Sequence, residues 1–93
     1  MQEKRRDTRE KELINIVVNS EDLAGHPFAE QTESIDISVG GIAFYLKTPV
    51  SPRSFVSIDL SQSREFGYRG KVTGIVVRSE PSSEKNLVAA GFF

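Results

Sequence analysis

Two short stretches carry the side chains best suited to holding a ligand. The first is Asp36-Ile37-Ser38-Val39-Gly40-Gly41. A carboxylate and a hydroxyl two residues apart share one face of an extended strand. Two residues without side chains follow, so a ligand can come close to the backbone there. The second is Arg5-Arg6-Asp7-Thr8-Arg9. Its arginines at 5 and 9 form a local cationic cluster, and a guanidinium grips phosphate oxygens as a two-pronged fork.

A chain of 93 residues supports one small domain with a modest core. Lys and Arg number 12 and Asp and Glu 13, a formal net charge of −1. No global basic field exists to attract long nucleic acid, so anion binding has to come from a local cluster. There is no cysteine. Disulfides, thiolate metal sites and cysteine nucleophiles are excluded, and a reducing cytosol is compatible. The charged N-terminus shows no apolar signal-peptide core, and no apolar run is long enough to span a membrane. The expected location is cytoplasmic.

Residues 1–12 are almost all charged or polar and present no amphipathic face, which predicts a flexible arm. Residues 13–93 alternate in the two-residue period of strands. Strands are expected at Leu13–Val18, Gln31–Ser38, Ile42–Lys47, Phe55–Leu60 and Leu87–Phe93. Phe66–Arg78 is expected as one bent strand or two short ones, with a change of phase near Gly74. In the second strand Ile35 and Ile37 are expected on one face, and Ser34, Asp36 and Ser38 on the other. Asn19–Phe28, Thr48–Ser54 and Glu80–Asn86 read as loops and turns. Short strands separated by turn signals, with no helical segment, predict an all-β fold. Closure into a small six-stranded antiparallel barrel would remove its exposed edges. The chain stops inside an apolar strand at Ala89-Ala90-Gly91-Phe92-Phe93, which suggests a piece of a longer protein.

Enzyme chemistry finds little support. His26 is the single histidine and sits between Gly25 and Pro27 in a loop. It belongs to no Ser-His-Asp set and no metal-ligand spacing. No glycine loop opens a helix to cradle phosphate.

Taken together, the two stretches resemble the PilZ domain, whose pattern is RxxxR followed at twenty to thirty residues by D/NxSxxG. Arg5 and Arg9 fill the first motif; Asp36, Ser38 and Gly41 fill the second. Gly91 resembles the glycine of the family's late Gly-x-x-Phe strand, although the chain ends one residue before that Phe. The helix that usually follows in the family is also absent from the sequence.

The resemblance implies a barrel that binds cyclic di-GMP and signals to a partner protein or a fused domain. It implies no other cofactor, no metal, no DNA or RNA partner and no membrane insertion. Arg5 and Arg9 would meet phosphate oxygens or guanine O6 and N7. Asp36 would accept from guanine N1 and N2, Ser38 would add a polar contact, and Gly40 and Gly41 would permit close approach. Lys4 and Arg6 complete the candidate set. Lys4 either helps neutralise a stacked pair of ligands or is solvated. Arg6, though in that set, reads more readily as facing solvent or pairing with a carboxylate such as Glu10. Ordering about five residues of an arm costs roughly 5–10 kcal/mol. Hydrogen bonds to charged groups contribute about 1.5–3 kcal/mol each, so four of them only offset that cost. The barrel face has to supply the surplus. Two alternatives stay open: a PilZ-like interaction module that binds no nucleotide, and an unrelated barrel for single-stranded nucleic acid. The intact motifs argue against the first, and the charge balance against the second.

Overall fold

A computed structural model describes residues 14–63 and 67–93. Six antiparallel strands form a closed barrel in the order β1-β2-β3-β6-β5-β4, as the alternation predicts. They are β1 (Asn15–Glu21), β2 (Pro27–Ile37), β3 (Gly41–Leu46), β4 (Phe55–Asp59), β5 (Lys71–Ser82) and β6 (Lys85–Phe92). A short 3-10 turn, Gly67–Arg69, leads into β5. The pairing of Val18 with Ile58 lies within the β1–β4 ladder that closes the barrel.

Alternate residues along the barrel-forming parts of the strands point inward and pack in one apolar core. Ile16 and Val18 enter from β1, Phe44 and Leu46 from β3, and Val56 and Ile58 from β4. Val76 and Val88 come from the neighbouring β5 and β6. Phe44 is the largest fully buried side chain among the described residues.

Strand ends depart from the expected limits. β1 begins at Asn15 and runs to Glu21, while β2 begins at Pro27. The expected ten-residue loop is therefore a tight connection. Asp22 Oδ1 closes it by accepting from the backbone N–H groups of Ala24 and His26, both at 2.9 Å. Similarly, β5 continues to Ser82 and β6 starts at Lys85. The turn between them narrows to Ser83 and Glu84, with Ser83 at a φ of 57°. These outer ends are polar, so hydrophobic period carried no trace of them; the ladder hydrogen bonds extend them regardless of side chain.

Two β-bulges correct the expected strand faces. In β2, Ser34 pairs with Phe44 but Asp36 pairs with Ala43, leaving Ile35 as the extra residue. Ser34 is thereby buried, at 0% exposure, and not on the face of Asp36. In β5, Val76 pairs with Ala90 but Arg78 pairs with Ala89, leaving Val77 as the extra residue. The change of phase falls at Val77, not near Gly74, which points inward beside Val76. A bulge sets two residues against one and so exchanges the faces beyond it.

Candidate ligand-binding site

The sharp connection from β2 to β3 is the turn Ser38-Val39-Gly40-Gly41. The Ser38 N–H donates to the Gly41 carbonyl at 2.9 Å. The Gly40 N–H in turn reaches the Ser38 hydroxyl at 3.3 Å. Two neighbours fasten this turn from outside. The Phe92 N–H of β6 donates to the Gly40 carbonyl at 2.9 Å. Arg69 donates from Nη1 to the Val39 carbonyl at 3.4 Å, and its guanidinium lies 5.1 Å from the centre of the Phe92 ring. Val39 itself projects outward, two-thirds exposed.

Asp36, Ser38 and Gly41 line one open recess of about 350 Å³. Its floor is formed by small residues, including Ala43 of β3 and Ala89 of β6. Arg78 of β5 stands at its margin. Three of the residues expected at the site are thus brought together, with Gly40 beside them in the turn. Lys4, Arg5, Arg6 and Arg9 lie outside the described residues.

The two glycines have different surroundings. A β-carbon on Gly40 would meet nothing within 4 Å. One on Gly41 would stand 2.7 Å from the carbonyl oxygen of Ala90. Gly41 therefore needs its bare backbone for the approach of β6, whereas Gly40 faces open space.

From the sequence, Arg69 and Arg78 alike could border the ligand face but read better as solvated surface residues. Arg69 acts through a carbonyl and a ring far away in the chain. Arg78 reaches the recess because of the bulge at Val77, and no pattern of side-chain types marks that bulge.

A larger recess of about 410 Å³ lies on the outer face of the β2–β3 hairpin, between Glu30, Glu33, Tyr45, Lys47 and Lys85. Two of its charged groups are engaged within the chain. The Glu30 carboxylate accepts from the backbone N–H groups of Lys47 and Thr48, at 2.7 and 3.2 Å. The Lys85 ammonium lies 5.9 Å from the Tyr45 ring centre. Among the described residues no group of His, Asp or Glu is placed to hold a metal ion. No helix among them is long and apolar enough to cross a membrane.

Known proteins of the same fold place this barrel. The Bacillus subtilis inhibitor of motility MotI/DgrA is 21% identical with a TM-score of 0.66, over 99% of this chain and 43% of that one. MrkH of K. pneumonia, solved as a complex with c-di-GMP, is 19% identical with a TM-score of 0.62, over 99% of this chain and 45% of that one. This chain thus spans less than half the length of the solved proteins it resembles. A search of the curated proteins finds no match. The family model described as PilZ domain matches residues 3–92, a span that includes both arginines of RxxxR and all of Asp36–Gly41. The chain belongs to the PilZ domain family.

Proposed function

We propose that the chain is a receptor module for cyclic di-GMP. The observation that carries this reading is the convergence of Asp36, Ser38 and Gly41 on one open recess, in a PilZ-family chain that also contains RxxxR. The complex of MrkH with c-di-GMP, a neighbour in fold, supports it.

Each residue has a distinct task. Asp36 accepts hydrogen bonds from the N1 and N2 donors of guanine, an arrangement adenine does not offer. Ser38 adds a polar contact from its hydroxyl. Gly40 leaves room for the ligand against the backbone. Arg5 and Arg9 bind phosphate oxygens or the guanine acceptor edge and close over the nucleotide, with Lys4 and Arg6 beside them. The closing of residues 1–12 changes the surface that a partner meets, which is how binding becomes a signal.

The partner is a protein or a fused domain. The expectation that DNA plays no part is withdrawn as unsupported: MrkH is described as a c-di-GMP-dependent transcription regulatory factor, and this chain covers 43% of it.

Calorimetric titration tests the reading. Cyclic di-GMP should bind the chain at micromolar protein, while cyclic di-AMP and GTP should not. Absence of heat with cyclic di-GMP overturns it. The stoichiometry of the same titration decides whether one ligand or a stacked pair occupies the site, and hence the role of Lys4.

A further inference from the structure

The strand register places four outward residues in one row across the barrel wall. Asp36 of β2 pairs with Ala43 of β3. Ala43 pairs with Ala89 of β6, and Ala89 pairs with Arg78 of β5. A carboxylate and a guanidinium therefore stand at the two ends of a floor made of two alanines. Three interstrand spacings separate their backbones by about 14 Å. All four residues line the same recess.

Both ends of this row depend on a bulge. With regular pairing after Ser34 and Phe44, Asp36 would face Ile42 on the core side. With regular pairing after Val76 and Ala90, Arg78 would face Val88 on the core side. The extra residues Ile35 and Val77 turn each charge outward, over the same floor. Bulges commonly re-aim side chains beside functional sites. Here two of them, on strands that do not touch, deliver opposite charges to one recess.

We infer that Arg78 is a specificity-determining residue of this site, holding the hydrogen-bond acceptors at the end of the ligand opposite Asp36. The inference rests on the cyclic di-GMP reading above. The alanine floor is low and flat enough for a planar base or a sugar-phosphate edge to lie on it. Asp36 presents only acceptors and Arg78 only donors, so the row fixes the direction in which an asymmetric edge is read. The acceptors belong either to a phosphate or to the O6 and N7 edge of guanine, and a guanidinium suits both. Arg78 also has a competitor within the chain: its Nε lies 3.6 Å from Glu80 Oε2, with both side chains more than half exposed. Glu80 holds the guanidinium when the site is empty and must release part of it when ligand arrives.

Titration of the chain with cyclic di-GMP, for wild type and for Arg78→Ala, Arg78→Lys and Glu80→Gln, tests this. Arg78→Ala should weaken binding at least fivefold with an unchanged thermal midpoint, because the side chain is exposed and supports no core contact. Glu80→Gln should strengthen binding two- to threefold by freeing the guanidinium. If Arg78→Lys restores affinity, the acceptor is a phosphate, which a point charge satisfies. If Arg78→Lys behaves like alanine, the acceptor is the guanine edge, which needs the fork. Binding by wild type with a loss under fivefold in Arg78→Ala overturns the assignment and leaves the receptor reading intact. No binding by wild type overturns the receptor reading itself.

Discussion

Gly41 and Ala90 meet backbone to backbone: a β-carbon on Gly41 would stand 2.7 Å from the Ala90 carbonyl oxygen. Gly41 opens β3 and pairs with Gly91 of β6, so the contact lies at the point where the Ser38–Gly41 turn joins the barrel. The last glycine of the D-x-S-x-x-G motif is thus part of the wall, whatever it also does for a ligand.

Gly41→Ala should therefore destabilise the fold by about 1–3 kcal/mol, the usual range for overpacking. In a chain of this size each kcal/mol lowers the thermal midpoint by roughly 4–8 °C. Gly40→Ala should leave the midpoint nearly unchanged, since its β-carbon would enter open space and its φ is not positive. If the ligand passes over Gly40, that same variant should lose affinity. Thermal melts and titrations of the pair separate a packing role from a binding role.

The two halves of the site should be coupled, so that their losses are not additive. Arg9→Ala and Asp36→Ala should each nearly abolish cyclic di-GMP binding, because hydrogen bonds from one half only offset the ordering cost. The double variant should be little worse than either single one. A double-mutant cycle with strictly additive losses would contradict a shared ligand.

Arg69 should act as a positioning residue. Its guanidinium bridges the Val39 carbonyl and the Phe92 ring. An exposed cation–π contact contributes about 0.5–1 kcal/mol, so Arg69→Ala should lower stability only slightly. The turn from Ser38 to Gly41 should exchange its amide hydrogens faster, and affinity should fall severalfold. Hydrogen exchange unchanged at the turn would remove this role.

Acid should weaken the β1–β2 hairpin. The Asp22 carboxyl is held below the usual carboxylate range, chiefly by the backbone N–H of His26, with Ala24 also contributing. Asp59 is lowered as well, first by the backbone N–H of Ser61. A group with a depressed folded pKa favours folding above its unfolded value, near pH 4, and loses that contribution as pH falls through the folded value. The thermal midpoint should therefore drop on acidification below about pH 4. Asp22→Asn should flatten that drop, because its side chain no longer titrates.

Much of this protein was legible in its residue types. The period-two runs around Ile16 and Val18, Phe44 and Leu46, and Val56 and Ile58 determined strands and their inward faces, since burial demands that alternation. The spacing of Asp36, Ser38 and Gly41 marked the turn that shapes the recess, and Arg5 and Arg9 pointed to an anionic partner. The inner end of Ser34, the outward aim of Arg78 and the fastening of Val39 by Arg69 were decided only in three dimensions. The reason is physical. A bulge costs one residue of register, and that residue is fixed by the pairing with the facing strand, not by its own type. Neither Ile35 nor Val77 differs in type from an ordinary strand residue. Local sequence sets which faces are apolar; the closure of the barrel sets which charges share a row.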